Sequence, residues 1–227
     1  MQAIDWQTFA TPDEVATAAC RFILEEAETA IADRGTFKLV LAGGTTPEKV
    51  YQQLAQSGAD WEHWHIYFGD ERCLPADHKD RNSVMARHAL LDRVAIPAAQ
   101  VHIMPTELGP EAAAEAYRAT VAEAGQFDLA LLGMGEDGHT ASLFPGHVHR
   151  QDESVHAVYD SPKPPPERIT LSTKTLNASR RALFLVTGAG KHDAVLQWRQ
   201  GVDLPVARIQ CEQGTDVYID AAALEGV

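Results

Sequence analysis

An imidazole and a carboxylate two residues apart, His139 and Asp137, sit in and just after the glycine-rich segment Gly133-Met-Gly-Glu-Asp-Gly138. Such a pair suits general-base chemistry, because histidine titrates near neutrality and a neighbouring carboxylate can assist it. The segment also matches the G-x-G-x-x-G pattern of dinucleotide sites. Glu136 and Asp137 would repel a pyrophosphate there, and Pro145 would cut short the helix that must follow. Side-chain chemistry at this turn is favoured over a dinucleotide site.

Three further groups carry chemical potential. In Gly43-Gly-Thr-Thr-Pro47, Gly43 and Gly44 allow close backbone approach and Thr45 and Thr46 offer hydroxyls. Pro47 opens a helix whose free N–H groups favour an anion. The same residues also fit an ordinary strand-to-helix turn capped by Thr46. Gly188-Ala-Gly-Lys191 is half a P-loop, but Leu185 and His192 stand where that motif needs Gly and Ser or Thr. Lys191 there suits a phosphate monoester, or it is a solvated first-turn lysine. Asp70-Glu71-Arg72 follows an apolar run, at the strand end where open sheets bind ligands, although a surface salt bridge is the plainer reading. His147, His149 and His156 lack the supporting ligands of a zinc motif and read as loop residues, so no metal site is expected.

These groups need strands and helices to position them. Thr11-Pro-Asp-Glu14 opens a helix that carries Val15, Ala19, Phe22, Ile23 and Ala27 at helical spacing, and Gly35 ends it. Apolar runs at 37–42, 63–68, 129–132, 168–172, 181–187, 206–210 and 217–220 read as strands, and helices are expected over about 46–55, 81–93, 110–124 and 188–200. Residues 147–167 lose periodicity and end in Ser161-Pro-Lys-Pro-Pro-Pro166, a stiff surface loop. Strands alternate with helices and no composition shift marks a boundary. The expectation is one α/β domain over 1–227, a three-layer sandwich whose mostly parallel, Rossmann-like sheet carries helices on both faces.

Composition narrows the partners. The chain has 227 residues, 45% of them hydrophobic, enough for a sizeable core. Its formal charge of −13 argues against nucleic acid, which needs a basic stripe. It leaves an anionic small molecule open, since a few local cations can hold one. No run approaches the length of a membrane helix, and Met1 to Phe9 lacks the pattern of a secretory leader. Three scattered cysteines suggest free thiols in a reducing cytoplasm.

Four blocks resemble a known family in its order: Leu-Ala-Gly-Gly-Thr-Thr-Pro47; Phe-Gly-Asp-Glu-Arg72 with Pro75, His78 and Asn82-Ser83; Gly133 to Pro145; and Pro-Glu-Arg-Ile-Thr-Leu171 with Gly190-Lys191. The chain is similar to bacterial-type 6-phosphogluconolactonases, within the glucosamine-6-phosphate deaminase superfamily. The resemblance implies hydrolysis of 6-phospho-D-glucono-1,5-lactone in the pentose phosphate pathway, with no metal or organic cofactor; a monomer or weak homo-oligomer is expected. It further implies His139 as general base with Asp137 as its neighbour, and Arg72 near the reacting end. Gly44, Thr45, Arg168 and Lys191 would hold the phosphate, with Gly43, Thr46 and Asp70 completing the substrate site. Ser142 lies close in sequence to His139, but no G-x-S-x-G elbow surrounds it. An amino-sugar-phosphate isomerase-deaminase and a non-catalytic sugar-phosphate sensor are the alternatives.

Overall fold

Short, mostly apolar runs form the centre of the protein. In the computed structural model, which describes residues 4–226, they are the strands of one six-stranded sheet. These are β1 (Asp5–Phe9), β2 (Phe37–Leu41), β3 (Trp64–Phe68), β5 (Leu129–Gly133), β8 (Arg181–Val186) and β9 (Thr215–Asp220). Their order is β1-β9-β8-β5-β2-β3, and every pairing is parallel. A parallel sheet covered on its faces needs continuous apolar strands, and β5 is buried from Leu129 to Leu132.

Among the described residues seven helices surround it: α1 (Pro12–Arg34), α2 (Thr45–Leu54), α3 (Asn82–Ala89), α4 (Pro110–Ala124), α5 (Thr173–Asn177), α6 (His192–Arg199) and α7 (Ala221–Glu225). The ends of α1 follow from local chemistry. Thr11 Oγ1 accepts from Glu14 N at 3.2 Å, Pro12 starts the first turn, and Gly35 stops the helix in a left-handed conformation, φ +78°. The apolar stripe of α1, including Val15, Ala19, Ile23 and Ala27, is buried against the sheet in one continuous core. No helix among the described residues is long and apolar enough to cross a membrane.

Four local expectations give way. A second, antiparallel sheet of order β4-β7-β6 stands beside the first, built from β4 (Asp70–Arg72), β7 (Arg168–Leu171) and β6 (Val155–Val158). β4 is three charged residues and β6 four residues inside an aperiodic stretch, so neither shows strand periodicity; partners distant in sequence make them strands. β1 is also unannounced, because only one edge of it is paired and its residues are largely exposed. The strand expected at 206–210 is a 3₁₀ turn over Pro205–Arg208, where proline has no N–H to give a ladder. The helix expected over 81–93 stops at Ala89 and continues only as a 3₁₀ turn, Leu91–Arg93.

Glu71 ties the second sheet to α3. This carboxylate is fully buried and accepts from Asn82 N at 2.7 Å, Ser83 N at 2.8 Å and Arg72 N at 2.9 Å. It thereby caps α3, which has no side-chain cap of its own. Arg81, also buried, lies 3.5 Å from Glu71 and donates to the Met104 carbonyl at 2.7 Å. Breaking a buried pair strands the remaining charge, so Glu71→Ala should lower unfolding stability by roughly 3–5 kcal/mol. Urea denaturation checks this; a midpoint close to wild type would deny Glu71 that role.

Candidate active site

Four neighbouring strands, β8-β5-β2-β3, release the chain at their carboxyl ends into the four turns singled out by sequence. The turn after β5 is shaped by its glycines. Gly135 N donates to the His139 carbonyl at 2.8 Å and Gly138 N to the Gly135 carbonyl at 3.0 Å. Gly138 holds φ +78°, and a Cβ there would meet Leu204 Cδ1 at 2.8 Å. At Gly135 a Cβ would overlap the ring of His139 and the carboxylate of Asp137. The turn is thus wrapped onto its own imidazole, and only glycine leaves the room.

Asp137 and His139 do meet. Asp137 Oδ1 lies 2.5 Å from His139 Nδ1 and accepts from His139 N at 3.1 Å. Nδ1 carries the proton shared with the carboxylate, which leaves Nε2 as the basic nitrogen. Burial lowers the His139 pKa below its ordinary value; Asp137 and Asp70 oppose this without reversing it, and Lys163 adds to it. Burial also pushes the Asp137 carboxyl up, but His139, by charge and hydrogen bond, brings it below the carboxylate norm. Near neutral pH the pair is a neutral imidazole held by a carboxylate.

The floor beneath His139 is a set of satisfied polar groups. Asp70 is buried: Ser142 Oγ donates to its Oδ2 at 2.6 Å, and Asn82 Nδ2 donates to its Oδ1 and its carbonyl, both at 3.0 Å. Arg168 Nη1 stands 4.0 Å from the same carboxylate. Each oxygen of Asp70 accepts one hydrogen bond, so the residue lines the cavity while holding its neighbours. Ser142 is fully buried and bonded to Asp70, so it is no nucleophile. Asn82 presses against Gly43, where a Cβ would overlap its side-chain oxygen.

Around this floor lies a cavity of about 300 Å³. Gly43, Gly44, Asp70, Arg72, His139, Arg168 and Lys191 all line it. The helix α2 meets it with an N-terminus that no side chain caps. Thr45 starts that helix, whereas Thr46 turns its hydroxyl to Thr187, 2.6 Å away, and so ties α2 to the end of β8 rather than capping. Asp220 fixes the Lys191 turn by accepting from Gly188 N at 3.0 Å. Arg72 Nη1 donates to the Asp80 carbonyl, while its Nε is buried without a partner. Burial lowers the Lys191 pKa, against the pull of Glu136.

Sequence reasoning missed Lys163. It lies in the proline-rich surface loop, which also forms one wall of the cavity through Lys163 and Pro164. Arg168 draws that wall in: its guanidinium donates to the carbonyls of Lys163 at 2.8 Å, Pro164 at 3.1 Å and Pro165 at 3.2 Å. Only the proximity of Lys163 to Arg168 in sequence hinted at this. The cavity lining then holds four cations, Arg72, Lys163, Arg168 and Lys191, against one carboxylate, Asp70, in a chain of net charge −13. His147, His149 and His156 lie to one side, where His149 Nδ1 and His156 Nε2 share a hydrogen bond of 3.1 Å. Among the described residues no three His, Cys, Asp or Glu side chains converge as metal ligands.

Fold and site define an α/β protein with a cation-lined cleft at the carboxyl ends of parallel strands, suited to a small anion. The chain belongs to the family of glucosamine-6-phosphate isomerases and 6-phosphogluconolactonases, whose model matches residues 10–218. A probable chloroplastic 6-phosphogluconolactonase of rice is 37% identical over 207 residues; these cover 82% of this chain but only 64% of that relative. A 6-phosphogluconolactonase of Synechocystis sp. is 43% identical over 175 residues, 73% of this chain and 72% of the relative. The crystal structure of 6-phosphogluconolactonase from Thermotoga maritima superposes with a TM-score of 0.91 at 30% identity, covering 96% of this chain and all of that one.

Because Gly135 leaves room for the His139–Asp137 contact, Gly135→Ala should keep the fold and displace the imidazole. Circular dichroism should stay native, while the NMR titration of His139 should shift from its wild-type midpoint. An unchanged His139 titration would count against the packing described.

Proposed function

We propose that the protein hydrolyses 6-phospho-D-glucono-1,5-lactone to 6-phospho-D-gluconate, a step of the pentose phosphate pathway. The observation that carries this reading is an imidazole, held by Asp137 through Nδ1, lining a cavity that four cations also line. A lactone is an activated ester, so water needs only a general base. Nε2 of His139 takes the proton from water as its oxygen attacks the ring carbonyl carbon. The carbonyl π-electrons move to oxygen, and Arg72 or backbone N–H groups of the glycine turn stabilise that oxyanion. Collapse reforms the carbonyl and breaks the bond to the ring oxygen, which takes a proton, from the imidazolium or from water. Lys191, Lys163 and the uncapped N-terminus of α2 hold the phosphate, a remote handle that places the carbonyl over His139. Arg168 serves the phosphate end by fixing the proline-rich wall. The steps ask for no metal or organic cofactor.

The deaminase alternative needs a free carboxylate to take a proton from carbon. Asp70 is the candidate by position, but its oxygens are already bound to Ser142 and Asn82, which favours the lactonase. Cys20, Cys73 and Cys211 are unpaired, which supports a reducing compartment such as the cytoplasm.

The experiment is a stopped-flow assay of lactone disappearance. Wild type should far exceed spontaneous hydrolysis, and His139→Ala should lose about 10²- to 10⁴-fold. A wild-type rate equal to the spontaneous one sinks the proposal. The pH profile follows from the base being active when neutral. Its pKa lies below the ordinary value of about 6.5, so turnover should hold as pH falls to that value and decline only below it. Asp137 raises that pKa, so Asp137→Asn should move the acidic limb of kcat to lower pH while reducing its plateau. A limb that moves upward, or not at all, would separate Asp137 from the base.

A further inference from the structure

Glu136 is the acidic residue of the catalytic turn that the proposed reaction leaves unused. Its carboxylate leans towards the phosphate end of the cavity. Oε2 lies 3.9 Å from Lys163 Nζ. Oε1 lies over the turn that carries Lys191, only 3.1 Å from where a Cβ on Gly190 would be. Lys163 and Lys191 both line the cavity, one from the proline-rich wall and one from the turn after β8. Glu136 is the first charge to offset the burial of Lys191, and Lys163 is close enough to repel it. A carboxylate is thus posed over the glycine turn that carries Lys191 and 3.9 Å from the Lys163 ammonium, an arrangement that equally suits a bound oxyanion.

We propose that Glu136 is a built-in competing anion: its carboxylate takes up the charge of Lys163 and Lys191 when no ligand is bound, and the phosphate of the substrate displaces it. The inference rests on the proposed phosphate-binding part of these lysines. Glu136 is well placed for such exchange. Its side chain is 64% exposed, so it can swing into water without stranding a buried charge. Hydrolysis adds a carboxylate to the ligand, and the return of Glu136 to the lysines helps that more negative product leave. The residue therefore sets the affinity for phosphorylated ligands without touching the reacting carbonyl.

Isothermal titration with inorganic phosphate tests this on wild type, Glu136→Gln and Glu136→Asp. The Gln variant should bind phosphate about 1.5- to fivefold more tightly, the range expected of one solvent-exposed ion pair. The gain should shrink as salt approaches 1 M, where screening acts over roughly 3 Å. The Asp variant, which keeps the charge, should stay near wild type, and KM for the phosphorylated lactone should fall in step for Gln. Equal or weaker phosphate binding by Glu136→Gln overturns the proposal; weaker binding would mean that Glu136 only holds the lysines in place. Lactone turnover by wild type is measured separately, so a protein that binds phosphate as described yet hydrolyses nothing would refute the lactonase reading and leave this one standing.

Discussion

The candidate site depends on the burial of one carboxylate, that of Asp70. Its oxygens face Asn82 at the start of α3, Ser142 in the turn after β5, and Arg168 at the start of β7. Those three elements come from distant parts of the chain and from both sheets. A buried carboxylate must be satisfied by donors, and here the donors are the groups that fix the cavity. Asn82 sets the approach of the Gly43 turn, Ser142 anchors the far end of the His139 turn, and Arg168 pulls in the proline-rich wall. Without the antiparallel β4-β7-β6 sheet, Asp70 and Arg168 would have no common register.

A second constraint acts at His139. Burial and the neighbouring Lys163 favour the neutral ring, whereas Asp137 favours the charged one. A base that is too strongly desolvated would accept a proton poorly, and one too strongly paired with a carboxylate would be protonated at rest. The contact with Asp137 through Nδ1 fixes the tautomer and recovers part of the basicity that burial removes. Gly135 makes that contact possible by its lack of a side chain, so a backbone constraint and a proton-transfer property have one origin.

What was legible in the sequence was local. Thr11, Pro12 and Gly35 delimit α1 because capping acts within a turn. The glycine turns after β2, β5 and β8 stand out because their neighbours are apolar strands, and so did most of the site residues that line the cavity. The rest depends on partners distant in the chain. Asp70 stands out as a ligand-site acid, but its burial and its three partners could not be read from its neighbours in sequence. Glu71 and Arg72 read as a surface ion pair, yet Glu71 is the buried cap of α3. Lys163 is hidden in a proline-rich stretch whose composition says only that it is stiff; its place in the wall follows from Arg168 gripping three consecutive carbonyls. The strands β4 and β6 fail for the same reason, since pairing across the second sheet, not periodicity, creates them.

Electrostatics complete the picture at two length scales. The chain as a whole carries −13 and repels a phosphorylated ligand at long range. At about 0.15 M salt that repulsion is screened beyond roughly 8 Å. Within that distance the cavity presents Arg72, Lys163, Arg168 and Lys191, together with the positive end of α2. In the proposed reading, binding of a phosphate dianion is thus decided inside the cleft, by fixed cations on separate elements, and not by the field of the protein. The same balance serves departure. In the proposed hydrolysis a product more negative than the substrate leaves a local positive field for an acidic exterior, and Glu136, 3.9 Å from Lys163, is placed to neutralise a cation it vacates.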